Sequence, residues 1–124
     1  MKKLLSQLTI LLTLFTVSCS TTPDDPVPGA YFNAPTTDQD VIAAANYAVK
    51  AKGLELSEGD PSASNTLQLI SIDKAEQQIV SGMNFRLHLS VQEGKKTRKA
   101  EAVVWWQAWN QAGPYQLTSW KWHH

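Results

Sequence analysis

Thiol chemistry is nearly absent from this sequence. Its one cysteine, Cys19, excludes a disulfide within the chain and a cysteine-rich zinc site. Charge of a single sign is absent too. Eleven Lys and Arg balance eleven Asp and Glu, so no broad basic field exists to hold a phosphate backbone, and nucleic acid is excluded as a partner. The longest apolar stretch, Leu4 to Val17, is broken by Ser6, Gln7, Thr9, Thr13 and Thr16. It is too short and too polar for a membrane span, which takes about 20 apolar residues. No Ser-His-Asp grouping, Cys-His pair, phosphate loop or paired-carboxylate site stands out, so an enzyme is disfavoured and no cofactor is expected. His88, His123 and His124 are read as solvated, with no carboxylate or thiol placed to complete a metal site. What is present is a 43% apolar fraction in 124 residues. That is too apolar for a wholly disordered chain and about the size of one domain.

The N-terminus carries the first specific signal. A basic Met1-Lys2-Lys3 precedes the apolar stretch, as in the core of a secretory signal. Thr16-Val17-Ser18-Cys19 resembles the lipobox of bacterial lipoproteins, with Thr16 where that family more often has Leu. The resemblance implies cleavage before Cys19, diacylation of its thiol and acylation of the new amine. Acyl chains buried at about 0.8 kcal/mol per methylene would anchor the chain stably in a membrane. Ser20, not Asp, follows the cysteine, and by resemblance to proteobacterial sorting this favours the outer membrane. The expected organisation is a signal peptide over 1–18, a lipidated proline-rich tether with an N-terminal trunk over 19–35, and one domain over 36–124. Pro23, Pro26, Pro28 and Pro35 keep the tether extended, because proline fixes φ and donates no amide hydrogen bond.

Within the domain, the hydrophobic period changes once. Val41, Ala44, Ala45, Ala48 and Val49 recur at helical spacing, with Thr36 or Thr37 as candidate caps and Gly53 as the candidate stop. Small alanines suit a helix lying close against a sheet. After a polar loop over 54–66 the period becomes two. Leu67, Leu69 and Ile72 begin one strand, and Met83, Phe85, Leu87, Leu89 and Val91 alternate with polar residues in the next. Glu93 to Lys96 reads as a turn, and the basic group Lys95, Lys96, Arg98 and Lys99 as a solvated hairpin. Ala100 to Trp106 is a third strand, Asn110 to Pro114 a turn and Tyr115 to Trp122 a fourth strand. The fold class is therefore α+β, with one helix followed by antiparallel hairpins and room for a short extra strand before the helix.

Gln78-Ile79-Val80-Ser81-Gly82 falls where the first strand must turn into the second. This Gln-x-Val-x-Gly pattern, placed between two strands after a helix, resembles the first hairpin of the cystatins, inhibitors of papain-like cysteine peptidases. Val27-Pro28-Gly29 resembles the trunk of the intracellular members, and Ala108-Trp109 keeps the tryptophan but not the proline of the family's second hairpin. The resemblance spans about Val27 to Trp122. It implies a cystatin-like fold, one α-helix packed on a curled antiparallel sheet of four to five strands. It also implies reversible, tight inhibition by a monomer that occludes the peptidase cleft. The contacting residues would be Val27, Pro28 and Gly29 of the trunk, Gln78, Ile79, Val80, Ser81 and Gly82 of the hairpin, and Trp109. Prebuilt hairpin tips lose little entropy on binding, and tryptophan is the residue type most often found at interface hot spots.

The tryptophans leave an alternative open. Trp105, Trp106, Trp109, Trp120 and Trp122 all fall in the last twenty residues. Trp105 and Trp106 must point to opposite faces, so at least one stands outside the core, while Trp120 and Trp122 share a face. Cross-strand packing accounts for them. An exposed aromatic strip would instead suit a non-inhibitory interaction module of the bacterial envelope, binding a glycan or a protein.

Overall fold

The computed structural model describes residues 29–58 and 67–123. Cys19, Val27, Pro28 and His124 lie outside the described residues, as do the expected signal peptide, most of the expected tether and residues 59–66. Among the described residues there are five strands and one helix: β1 (Tyr31–Ala34), α1 (Gln39–Leu56), β2 (Leu67–Val80), β3 (Gly82–Glu93), β4 (Lys96–Trp106) and β5 (Tyr115–Trp122). The strands form one antiparallel sheet in the order β1-β2-β3-β4-β5, with α1 lying across its inner face. No helix among the described residues is long and apolar enough to cross a membrane.

The helix begins one residue later than the threonines suggest. Asp38 is the N-cap, and its Oδ1 accepts from the Asp40 amide at 2.8 Å. The helix also runs past Gly53 to Leu56. Gly53 is buried on the packed face, and the left-handed position that ends the helix falls to Glu58, at φ 56°, with Ser57 as C-cap. Lys50 and Lys52, which a stop at Gly53 would put in the last turn, therefore lie a turn before the end. The buried helix positions are Val41, Ala44, Ala45, Ala48, Val49 and Gly53, a stripe of mostly small side chains. They meet Ala75, Phe85, Leu87, Leu89, Val91, Ala102 and Val104 from the sheet, all buried. Alternation along β3 and β4 thus points inward the residues that the period-two pattern assigns there.

The sheet curls because β2 carries extra residues. Its register against β3 shifts between Leu69 and Ser71 and again between Ile72 and Lys74. Each such bulge increases the local twist. Asp73 at the second bulge accepts from Ser90 at 2.6 Å and Ser71 at 2.8 Å, and these bonds, with Lys99, hold its carboxyl below the usual carboxylate range.

Short β1 is fastened on the outer face. It pairs with β2 from Tyr31↔Gln78 to Ala34↔Ala75. Arg86 on β3 donates twice to Glu76 on β2, at 3.0 and 2.7 Å, and its guanidinium lies 3.9 Å from the centre of the Tyr31 ring. Arg86 is the largest cause of a Glu76 pKa lowered from 4.5 to about 2. A depressed carboxylate pKa adds stability above the unfolded value, and that stability is lost as pH falls through the folded value. Glu76 should therefore contribute on the order of 2 kcal/mol at neutral pH, after allowance for partial exposure of the pair. This contribution should fade between about pH 4.5 and about pH 2. Urea unfolding across that range should show a shallower acid slope in Glu76→Gln, with the residual slope including the Asp73 contribution.

Candidate functional site

Three segments distant in sequence converge at one end of the sheet. The β2–β3 hairpin turns at Ser81, between paired Val80 and Gly82. The trunk runs beside it, where the Gly29 amide donates to the Ile79 carbonyl at 3.2 Å. Met83 pairs with Trp106 on the other side, which brings the β4–β5 loop over 107–114 to the same end.

Gly82 is dictated by both conformation and space. Its φ is +87°, and a Cβ there would collide with the Trp106 carbonyl oxygen and lie 3.1 Å from Trp105 Nε1. Gly29 also has a positive φ, +86°, but a Cβ there would meet nothing within 4 Å. Gln78 uses its side-chain amide inside the molecule. Its Nε2 donates to the Gly29 carbonyl at 3.0 Å and its Oε1 accepts from Asn84 Nδ2 at 2.9 Å. The glutamine therefore ties the trunk to the first hairpin.

Trp105 ties the two hairpins together. Its Nε1 donates to the Ser81 carbonyl at 2.7 Å, and its ring meets that of Trp109 edge-on, 6.1 Å between centroids. The loop over 107–114 is closed by backbone bonds from Gln107 to Pro114 at 2.6 Å, Asn110 to Gln107 at 3.2 Å and Gly113 to Asn110 at 3.3 Å. Ala108 replaces the proline of the resembled hairpin, yet turn bonds and the Trp105 contact hold Trp109 in place. The apolar surface left at this end comes from Val80, 38% exposed, Trp106, 36%, and Trp109, 60%. On its inner side, Met83, Phe85, Trp106, Tyr115 and Asp40 help wall a cleft of about 210 Å³. Burial, and secondarily the Asp40 carboxylate, pushes the Tyr115 phenol upward.

Sequence reasoning placed Gly29, the Gln78–Gly82 hairpin and Trp109 at this site, and the structure brings these together. It did not identify Trp105, Trp106 and Asn84. Two adjacent tryptophans closing a strand were the available signal, because opposite parity forces one toward each face of the sheet edge. Trp120 and Trp122, in contrast, form no outer strip. They lie half-buried against the core on the helix side, edge-to-face at 5.2 Å. One sequence expectation is corrected on the outer face, where a carboxylate, Glu101, does accompany His88 and His123.

A helix on a curled five-stranded meander, with trunk and two hairpins meeting at one end, defines a cystatin-like domain. The family model SQAPI, described as aspartic acid proteinase inhibitor, matches residues 34–122. The chain belongs to that family, within the cystatins. The family is one of proteinase inhibitors, and the chain is not an enzyme. L-cystatin of Tachypleus tridentatus is 29% identical over 106 residues, covering 67% of this chain and 74% of that protein. The salivary cystatin of the soft tick Ornithodoros moubata superposes with a TM-score of 0.61 at 18% identity, over 79% of this chain and 100% of that one. Dimeric human cystatin F does so at 0.56 and 19%, over 86% of this chain and 97% of that one.

The two glycines should separate conformation from crowding. Gly82→Ala should lower unfolding free energy by about 2–3 kcal/mol, through a strained positive φ and a backbone collision. Gly29→Ala, with the same kind of φ but open space, should cost about 1–2 kcal/mol, from conformational strain alone and less than Gly82→Ala. Urea unfolding at neutral pH measures both.

Proposed function

We propose that the chain is a reversible, tight-binding inhibitor of papain-like cysteine peptidases. A monomer would plug the substrate cleft with the trunk, the Gln78–Gly82 hairpin and the Trp109 loop. The observation that carries this reading is the convergence of those segments on one end of the sheet, cross-tied by Gln78 and Trp105, with Val80 and Trp109 left uncovered. A prebound edge loses little conformational entropy on docking. Gly29 passes the nucleophile without a side chain, Val27 and Pro28 enter pockets on one side of it, and Trp109 anchors the other side. Ile79 and Ser81 contribute backbone along the tip. An interface of this type buries about 1,600 Å² in total. No scissile bond need be offered to the thiolate.

A second target class has a specific observation behind it, since the matching family model is described by aspartic proteinases. An occluding edge acts through cleft shape, so the same surface suits either groove in principle. The glycan-binding alternative has less support, because Trp120 and Trp122 pack on the helix side. The proposal also includes a lipid anchor on Cys19 that would hold the domain at the bacterial envelope, in the outer membrane, with the proline-rich segment after it as a tether.

Papain, cathepsin L and pepsin titrated with the chain lacking residues 1–19 decide the target. Inhibition of the cysteine peptidases at or below micromolar concentration is expected. Trp109→Ala should weaken it by about tenfold to a hundredfold, with Val80→Asp and Gly29→Glu also impaired and folding intact. Inhibition of pepsin alone would move the target to aspartic peptidases, and inhibition of none would overturn the inhibitor reading. Metabolic labelling with palmitate should mark the full chain in bacteria and spare Cys19→Ser. An unlabelled parent would remove the anchor.

A further inference from the structure

The outer face of the sheet, away from the hairpin edge, gathers three potential metal donors from three neighbouring strand lines. His88 on β3 pairs in register with Glu101 on β4. His123 follows β5, its amide donating to the Lys99 carbonyl at 2.9 Å, which returns its side chain to the same region. One ring nitrogen from each histidine and one Glu101 oxygen lie within 4.8 Å of one another. The two imidazoles are nearly parallel, 11° apart, with centroids separated by 6.4 Å.

The surroundings favour ligation. His88 Nε2 is 3.3 Å from Glu76 Oε1, and a carboxylate so placed can orient an imidazole through one nitrogen while the other ligates an ion. Glu76 itself is committed to Arg86 by two short bonds, whereas Glu101 reaches Arg86 only at 3.9 Å. Glu101 is thus the less committed carboxylate. Lys99 is drawn toward Asp73 at 3.5 Å, and exposed Lys121, opposite Glu101, can extend into solvent. Zinc bonds of about 2.0–2.2 Å in a tetrahedral site put donors about 3.3–3.5 Å apart. Rotation of the exposed His123 and half-buried Glu101 side chains can close the remaining gap.

We propose that His88, Glu101 and His123 bind one divalent transition-metal ion, zinc by preference. Two imidazoles and one carboxylate are a borderline-soft donor set with a position left for water, suited to zinc and unsuited to calcium or magnesium. The ion would join the chain beyond β5 to β3 and β4, a cross-link in a domain that contains no cysteine. His88 is six residues from Gly82, about 20 Å along an extended strand, so the site is separate from the inhibitory edge.

The test is zinc titration of the full chain in mild detergent by calorimetry, with cobalt as a spectroscopic substitute. One ion per chain, a melting midpoint raised by several degrees, and a tetrahedral or five-coordinate cobalt spectrum without a thiolate charge-transfer band are expected. His88→Gln and His123→Ala, each melting like the parent without metal, should weaken binding at least tenfold. Absence of zinc binding, a thiolate band, or unchanged affinity in the His88→Gln/His123→Ala double variant would overturn the proposal. Inhibition of papain should be the same in the histidine variants as in the parent, so failure here is distinguishable from failure of the inhibitor reading.

Discussion

The indole hydrogen of Trp105 goes to the Ser81 carbonyl, and much of the candidate site depends on that bond. A hairpin that turns at one residue leaves backbone carbonyls at its tip. Here one of them is taken by the neighbouring strand line, which holds the tip against β4. The same ring supports Trp109 edge-on, so the position of the second loop follows from the first. Gly82 completes the constraint, because only a residue without Cβ lets the Trp106 carbonyl approach. On the other flank, the amide of Gln78 repeats the device by reaching the trunk at Gly29. Residues that look like contact residues in the sequence are therefore partly internal bracing. The surface they present owes its rigidity to side chains that are not the most exposed ones.

The elements were legible where a single period dominates. Met83 to Val91 alternates without exception, and the alanine stripe of α1 has no competing reading. The helix ends were not legible, since Asp38 caps more directly than Thr36 or Thr37, and Gly53 serves packing instead of termination. Strand β1 was visible only as a possibility. Four residues carry no period, and what secures them besides their pairing with β2 is the Arg86 guanidinium between Glu76 and Tyr31, a contact that draws on β2 and β3 together.

At the site, the Gln-x-Val-x-Gly pattern and Trp109 were legible because their residue types are unusual at those places. Trp105 was ambiguous. Parity placed Trp105 and Trp106 on opposite faces but could not say that one would find a carbonyl on the adjacent hairpin. The outer-face cluster was missed for a related reason. His88, Glu101 and His123 are separated by long stretches of sequence, and only the register of β3, β4 and β5 brings them together. The terminal tryptophans show the converse. Clustered in sequence, they are divided by the sheet between its hairpin end and its helix side.

Under the proposed cleft-filling mode, the target class would turn on cleft shape and working pH more than on the chemistry of the nucleophile. An edge that fills a groove makes no bond to the catalytic group, and its uncovered side chains, Val80, Trp106 and Trp109, are uncharged. Such a surface does not itself distinguish a thiolate from a carboxylate dyad. Aspartic peptidases operate with two carboxyl groups sharing a proton, which favours acid conditions. An inhibitor used there must keep its trunk in place in acid. The Glu76 carboxylate, held down to about pH 2 by Arg86, stays ionised through most of that range. The fastening of β1 is consequently compatible with either pH regime. Discrimination must then come from how the trunk, two tips and cleft walls match in spacing.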